Sequence, residues 1–204
     1  MTLLLRINSS SRSDGSHSTA IADHFETCFR EKHGDCRVVT RQVADGSIPL
    51  ISQKTIEGFY FPETDLPADL RQATALSDTL IAELQEADTL LIATPIYNFG
   101  VPAALKAWID QIVRVGHTFS YDGEAFSGLV RTRRAVVVGT YGAEGYLEGQ
   151  PFAAANFVQP YLNFLLSFLG IQDIRFISAQ GTVADPETAA ARVEAAKEEC
   201  RLAA

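Results

Sequence analysis

The sequence predicts an α/β fold built on a doubly wound, five-stranded parallel sheet. Two observations lead to this prediction. Five short apolar runs are spread along 204 residues, and apolar residues at helical spacing follow each run before the next one begins. Because a strand followed by a helix returns to the same sheet through a right-handed crossover, we expect helices on both faces of the sheet. The expected strand order is 2-1-3-4-5.

Each predicted strand is an apolar run that ends in polar or turn-forming residues, as buried parallel strands do. The runs cover residues 3–8, 36–43, 89–93, 134–140 and 174–179. Between the second and third runs lies a segment, 44–68, with three prolines and two glycines. A stretch of this length and composition predicts an irregular loop, and such loops are often functional.

The expected helix boundaries come from capping residues. Ser18 precedes apolar residues at helical spacing and is expected to cap the first helix. Pro102 is expected at the first position of the helix after the third strand, while Asp185 and Pro186 begin the last helix. The stretch 157–169 is apolar almost all round, which predicts a buried helix or, near the surface, a subunit interface.

Composition and charge exclude several classes of protein. With 47% hydrophobic and 21% charged residues, the chain is expected to form a single globular domain over residues 1–204. The net charge of −8 argues against nucleic acid or an anionic membrane surface as a partner. The three cysteines lack metal-site or disulfide spacing, and no apolar run is long enough to span a membrane. No metal is expected, and the predicted location is the cytoplasm.

The loop after the first strand, residues 9–18, has the sequence SSSRSDGSHS. Hydroxyls between a strand end and a helix N-terminus either cap the helix or bind an anion such as phosphate. The loop has neither GxxxxGK[ST] nor GxGxxG, so a nucleoside triphosphate or a dinucleotide is not indicated. These features favour a monophosphate that is bound and left intact.

In the predicted strand order, the carboxyl ends of the first, third and fourth strands lie side by side. Three loops therefore converge, at residues 9–18, 94–99 and 140–145. The first offers phosphate donors and the other two offer backbone groups for a flat ring. This combination fits FMN, whose redox potential would be tuned by amide donors beside the isoalloxazine.

The residues of these loops resemble those of the FMN-dependent NADH:quinone oxidoreductases known as azoreductases. The similarity covers essentially the whole chain and is carried by the first loop, by the Pro95–Phe99 motif, by Phe119 with Tyr121, and by 160–162 with 170–171. It implies a flavodoxin-like fold and a homodimer with each active site at the interface. It also implies tightly but non-covalently bound FMN and reduction by NADH or NADPH.

The resemblance assigns residues to roles. The ribityl phosphate would be held by Ser9, Ser16, His17 and Ser18, and the isoalloxazine by Pro95, Ile96, Tyr97, Asn98 and Phe99. The third flavin loop would be Thr140, Tyr141, Gly142 and Ala143, where the family commonly has Ser-Arg-Gly-Gly, and the His that often follows is absent. The substrate wall would include Phe59, Tyr60, Tyr121, Phe164 and Leu165, each of which is alternatively a plain core or interface residue.

The activity implied is a two-electron reduction of quinones, azo compounds or both. Hydride would pass from NAD(P)H to flavin N5 and then to a flat acceptor in a ping-pong sequence, without a protein nucleophile or base. One alternative is a flavodoxin-type single-electron carrier, which the acidic charge suits and which would oxidise NAD(P)H poorly. A phosphatase or receiver domain is disfavoured because the first loop lacks the necessary Cys or acidic pair.

Overall fold

The structure is a computed structural model that describes the backbone of residues 1–204 and every side chain except that of residue 63. Its strands are β1 Thr2–Asn8, β2 Cys36–Gln42, β3 Thr89–Pro95, β4 Phe119–Tyr121, β5 Phe126–Gly128, β6 Arg134–Thr140 and β7 Asp173–Ala179. Five of them form a parallel sheet in the order β2-β1-β3-β6-β7, and β4 and β5 form a separate antiparallel hairpin. The predicted five-stranded parallel sheet is confirmed. The hairpin was not predicted as a pair, so strand numbers after the third differ.

The helices are α1 His17–His33, α2 Gln53–Tyr60, α3 Ala68–Glu86, α4 Ala103–Ile112, α5 Gln159–Phe168 and α6 Pro186–Ala203. Short 3₁₀ turns cover Val43–Asp45, Glu63–Asp65 and Ala153–Ala155. Among the described residues, no helix combines the length and the apolar character needed to cross a membrane.

The sheet has one apolar core on each face because successive strand residues point to opposite sides. Leu4 of β1 and Leu91 of β3 are fully buried in the core that α1 and α6 cover. Leu5 and Ile92, their neighbours in sequence, are buried in the core that α3, α4 and α5 cover. Helices thus lie on both faces and leave the carboxyl edge of the strands to the loops.

The prediction of an irregular loop over residues 44–68 was wrong, because the segment contains α2. Ser52 caps this helix in a reciprocal capping box with Thr55. The glycine that weakened the helical signal has a packing role. A Cβ on Gly58 would lie 2.5 Å from Thr74 Cγ2 and 3.3 Å from the Leu70 carbonyl oxygen of α3. Close contact between the two helices therefore requires glycine at this position.

Two predicted helix starts were displaced. The N-cap of α1 is Ser16 rather than Ser18, and its hydroxyl accepts a hydrogen bond from the Thr19 amide at 3.3 Å. Pro102 occupies the N-cap of α4 rather than its first helical position. Asp185 and Pro186 begin α6 as predicted.

The hairpin β4–β5 docks near the C-terminal end of α5, at the amino edge of the parallel sheet. The Val130 amide donates to the Leu169 carbonyl at 3.0 Å. The aromatic residues Tyr121 and Phe126 stack at 4.6 Å between ring centroids, and Phe126 lies 5.7 Å from Phe168 of α5. A small aromatic cluster therefore joins the hairpin to α5.

Candidate functional site

Four loops enclose a small cavity at the carboxyl edge of the sheet. The cavity has a volume of about 150 Å³. Its lining comes from the loops after β1, β3 and β6, as predicted, and from the loop after β7, which was not predicted. The lining residues are Ser10, Arg12, Ser16, His17, Ser18, Pro95, Ile96, Tyr97, Thr140, Gly142, Thr182 and Val183.

The start of α1 gives the cavity its anion-binding character. Ser16 and Ser18 are buried, and their hydroxyl oxygens lie 3.3 Å apart. The first turn of α1 contains no acidic residue, so the positive end of the helix is not neutralised by its own side chains. Arg12, which sequence reasoning did not select, adds a positive charge to the lining. Hydroxyls, free helix amides and a guanidinium together suit a phosphate group.

The predicted phosphate ligand Ser9 lies beside the cavity but outside its lining. Its side chain is fully buried, and its hydroxyl donates to the Ala93 carbonyl oxygen at 3.0 Å. Its amide donates to the same carbonyl, also at 3.0 Å. Ser9 therefore links the ends of β1 and β3 in this structure.

The second loop contains a strained turn. Tyr97 and Gly100 exchange two backbone hydrogen bonds of 3.0 Å each. The two residues between them, Asn98 and Phe99, both have left-handed backbones with φ of 48° and 72°. A two-residue turn of this kind normally contains glycine, because other residues adopt a left-handed backbone only at a cost in free energy. Such strained backbone conformations are found most often at functional sites. This turn follows directly from the end of β3.

Backbone hydrogen bonds join the loops to one another. The Ile96 amide donates to the Thr140 carbonyl at 2.9 Å, which ties the second loop to the third. The Thr182 amide donates to the Tyr141 carbonyl, and the Val183 amide to the Gly142 carbonyl, each at 3.1 Å. The Thr182 hydroxyl also donates to the Tyr141 carbonyl, at 3.1 Å. The loop after β7 is thus attached to the third loop mainly through backbone groups, and no side-chain pattern in the sequence signals it.

Tyr141, predicted as a flavin contact, turns its side chain away from the cavity. The side chain is 1% exposed, and its ring stacks on Tyr146 at 5.6 Å. Burial raises the pKa of Tyr141, and hydrogen bonds with Asn156 and Ser178 oppose this rise. A neutral phenol is therefore maintained inside the protein. Only the main chain of Tyr141 remains near the cavity.

A larger groove adjoins the cavity and shares Tyr97 with it. The groove has a volume of about 770 Å³ and a mostly apolar surface. Its lining includes the exposed side of the strained turn and the start of α5, where the Phe157 amide donates to the Phe99 carbonyl at 3.0 Å. The lining residues are Tyr97, Asn98, Gly100, Val101, Ala103, Lys106, Phe157, Pro160 and Tyr161. Such a surface suits a planar aromatic group.

The predicted substrate residues lie away from this groove in the same chain. Phe59 packs under the Arg114 guanidinium at 5.0 Å, and Tyr60 is largely exposed on α2. Leu165 is buried in the core, while Phe164 on α5 is 69% exposed. Tyr121 lies on the hairpin, a full length of α5 from the groove, or about 15 Å for ten residues. Among the described residues, none of these five lines the cavity or the groove.

The cavity has the side chains of an anion-binding site. The described part of the chain contains no group of three or more His, Cys, Asp or Glu side chains placed to hold a metal ion. The polar part of the lining consists of hydroxyls, backbone groups, one arginine and one histidine, and Pro95, Ile96 and Val183 form the apolar part. Such a site can accommodate an anionic group such as a phosphate.

Comparison with known proteins gives this arrangement a family. The sequence model for the flavodoxin-like fold matches residues 2–203. An FMN-dependent NADH:quinone oxidoreductase of Xanthobacter autotrophicus is 45% identical over 85% of this chain and 84% of its own length. An enzyme of the same name from Hydrogenovibrio crunogenus is 39% identical, with 97% of each chain covered.

Solved structures give the same result for the fold. An azoreductase from Bacillus anthracis superposes with a TM-score of 0.89 at 23% identity, covering 100% of this chain and 98% of its own. An FMN-dependent NADH-azoreductase of the same species, in complex with FMN, superposes with a TM-score of 0.86 at 26% identity and full coverage of both chains. The chain thus belongs to the family of FMN-dependent NADH:quinone oxidoreductases, on a flavodoxin-like fold.

Proposed function

We propose that this chain binds FMN and uses NADH to reduce flat acceptors, namely quinones, azo compounds or both, by two electrons. The observation that carries the proposal is the hydroxyl-lined start of α1 beside an apolar groove, with the strained turn Tyr97–Gly100 between them. The names of the relatives support the choice of cofactor, donor and acceptor.

The residues present fit the phosphate end of FMN. Ser16, His17 and Ser18 would hold the phosphate at the amino end of α1, where no acidic side chain competes. Arg12 would balance part of its charge. Ser10 lines another side of the same cavity and would add a hydroxyl donor. Thr182 also lines it, but its hydroxyl donates to the Tyr141 carbonyl at 3.1 Å.

The backbone of two loops would hold the ring. The turn 96–99 and the segment 140–143 are tied together by the Ile96 to Thr140 hydrogen bond, so their amides lie along one rim. When bound, FMN supplies the chemistry, because it can accept a hydride from a nicotinamide and pass two electrons to an acceptor. The protein would orient the ring, exclude water from one of its faces and provide stacking surface. No protein acid or base is required.

We also propose that the donor and the acceptor use one site in turn. The chain offers one apolar groove beside the strained turn, lined by Phe157 and Tyr161. A nicotinamide and a quinone are both flat, so each would need the same surface. Departure of the first product before the second substrate binds is the ping-pong sequence.

A homodimer would complete the site. Phe126, Phe157 and Phe164 are each at least 60% exposed, which is unusual for phenylalanine, and they lie along α5 and the hairpin docked on it. Tyr121 belongs to the same face but does not reach the groove of its own chain. We propose that a second copy covers this face and that Tyr121 and Phe164 contribute to the partner's substrate wall.

Two further predictions belong to the same proposal. Residues 1–204 would act as a single FMN-binding unit, since one parallel sheet organises all the helices. The cytoplasm is the proposed location. The described cysteines, Cys28, Cys36 and Cys200, are all free thiols, and such thiols persist in a reducing compartment.

The test is the visible spectrum of the purified protein, followed by anaerobic addition of NADH and then of a quinone. We expect a yellow protein that bleaches with one equivalent of NADH and regains its colour with one equivalent of quinone. Initial rates measured against NADH concentration, at several fixed quinone concentrations, should give parallel lines in a double-reciprocal plot. A protein that stays colourless after incubation with FMN would refute the proposal, and intersecting lines would refute only the ping-pong order.

A further inference from the structure

Arg6 is a charged side chain buried inside the parallel sheet. It lies in the middle of β1, and its side chain is only 5% exposed. Leu4, two residues earlier on the same face of the strand, packs in the core beneath α1 and α6. An apolar residue would therefore fit the pattern at position 6, and the presence of arginine there requires an explanation.

The guanidinium of Arg6 binds α1 at three points and its own strand at a fourth. Its Nη2 lies 2.7 Å from Asp23 Oδ1 and donates to the Thr19 carbonyl at 3.3 Å. Its Nη1 donates to Glu26 Oε2 at 3.1 Å, and its Nε donates to Asn8 Oδ1 at 3.0 Å. One side chain thus fixes the first three turns of α1 relative to the carboxyl end of β1.

Both ends of this network lead to the cavity. Thr19 donates to the Ser16 hydroxyl oxygen through its amide, at 3.3 Å, and through its own hydroxyl, at 3.0 Å. Ser16 lines the cavity. Asn8 is the last residue of β1 and is followed by the loop that contributes Ser10 and Arg12. Arg6 itself lies outside the lining. On the α1 side, only Thr19 lies between Arg6 and the lining residue Ser16.

Stability alone does not account for such an arrangement. Replacing a buried ion pair by well-packed apolar side chains is often neutral or stabilising, because the charges lose their hydration when they are buried. An arginine with two carboxylates and two carbonyl oxygens does, however, hold two elements in one orientation, since its planar fork fixes the direction of each bond. Orientation matters here because the amides at the start of α1 must converge on one anion.

We propose that Arg6 is a positioning residue for the phosphate end of the cofactor site: it holds the start of α1 and the end of β1 in the arrangement that binds FMN. This inference rests on the proposed function and adds a residue that does not touch the cofactor. Glu26, which also pairs with Arg30 at 2.7 Å, and Asp23 would then serve the same purpose through Arg6.

The experiment compares Arg6→Met with a matched control, Arg41→Met. Arg41 is on the neighbouring strand β2 and also pairs with a helix carboxylate, its Nε donating to Glu83 Oε2 at 2.9 Å, but it contacts no residue of the cavity lining. Apoprotein of each variant is titrated with FMN while flavin fluorescence is followed, and its urea unfolding is measured. We expect Arg6→Met to raise the dissociation constant of FMN at least tenfold and Arg41→Met to change it less than twofold.

A third variant, Arg6→Lys, tests whether FMN binding depends on the planar guanidinium of Arg6 or only on its positive charge. Lysine keeps the charge and loses the simultaneous bonds to Asn8 and α1, so we expect an FMN dissociation constant raised threefold or more. If Arg6→Met does not fold, Arg6→Lys decides the question alone. Wild-type FMN affinity in a folded Arg6→Met protein, or in Arg6→Lys when Arg6→Met is unfolded, would overturn the inference. Failure of the wild-type protein to bind FMN would instead overturn the proposed function.

Discussion

The side-chain nitrogen Nδ2 of Asn156 donates to the Tyr141 hydroxyl oxygen at 3.3 Å, inside the protein. The same nitrogen donates to the Tyr146 carbonyl at 3.1 Å. On its other side, Asn156 Oδ1 accepts from the amides of Val158 and Gln159 at 3.1 and 3.2 Å. One buried amide group therefore joins the third loop of the cavity to the start of α5.

Replacement of Asn156 by alanine should destabilise the protein by about 2–4 kcal/mol, because it leaves several buried polar groups without partners. Tyr141→Phe removes one hydroxyl and keeps the ring, so it should cost about 1 kcal/mol. Urea unfolding of both apoproteins measures the difference. A cost for Tyr141→Phe equal to that of Asn156→Ala would mean that the amide has no role beyond this one contact.

The strained turn predicts opposite effects of two substitutions at Asn98. Glycine adopts a left-handed backbone without penalty, so Asn98→Gly should leave the free energy of unfolding within about 0.5 kcal/mol of wild type or raise it. Asn98→Val places a β-branched side chain at φ of 48° and should cost about 1–2 kcal/mol. Both are measured by urea unfolding of apoprotein. Equal stability of the two variants would show that the turn relaxes when its sequence changes.

Arg12 should distinguish FMN from riboflavin, which lacks the phosphate. Because Arg12 is exposed, its attraction to the phosphate is partly screened, and Arg12→Ala should weaken FMN binding by about 3–10-fold in low salt. Riboflavin binding should not change, and added NaCl should reduce the loss for FMN. Arg131→Ala, an exposed arginine before β6, is the control. An equal loss for both flavins would place Arg12 against another part of the cofactor.

The stability of the protein should fall at alkaline pH because of Cys200. Burial, with a smaller contribution from Cys28, raises the pKa of the Cys200 thiol to about 12. In the unfolded chain the pKa of this thiol is about 8.5, so above that pH the unfolded state binds fewer protons than the folded state. The free energy of unfolding therefore decreases as the pH rises. The loss should approach about 1.4 kcal/mol per pH unit. Urea unfolding at pH 8 and pH 9.5 measures it, and Cys200→Ala should show a shallower fall. The same slope in both proteins would exclude Cys200 as the cause.

Docking of the hairpin on α5 depends on Gly128. A Cβ at this position would lie 2.3 Å from the Gly170 nitrogen and 2.3 Å from the Leu169 carbonyl carbon, both backbone atoms. Gly128→Ala should therefore cost about 1–3 kcal/mol through overpacking. The control is Gly100→Ala, where a Cβ meets nothing within 4 Å. Thermal unfolding separates the two, and a Gly128→Ala protein as stable as the control would mean that the hairpin shifts freely.

The sequence carried enough information to predict the sheet and most of the cavity. The parallel strands are apolar runs without turn residues, and the cavity lies where those runs end, so Ser16, Pro95 and Thr140 could be located from pattern alone. α2 was not predicted because a glycine within a short segment indicates a turn. Gly58 instead lies inside the helix, where the absence of a Cβ allows close packing against α3.

Other features could not be predicted because they depend on backbone paths. The alternation of side chains along a strand predicts their direction only as far as the strand extends, and β6 ends at Thr140. The inward direction of the Tyr141 side chain, toward Asn156, could therefore not be predicted. The loop bearing Thr182 is attached to the third loop largely through its amides, which every residue except proline possesses. Arg12 was not selected among the six serines of residues 9–18, although its guanidinium adds a positive charge to the cavity lining.

The start of α1 has a consequence for how long the protein survives in a cell. That helix end carries no acidic side chain, so the positive charge of its dipole is balanced only when an anion arrives. A ligand that binds only the folded chain adds about 2.7 kcal/mol of stability at a hundred times its dissociation constant. If that ligand is FMN, chains with FMN bound would unfold less often than apoprotein and would be cleaved more slowly by proteases that act on the unfolded chain.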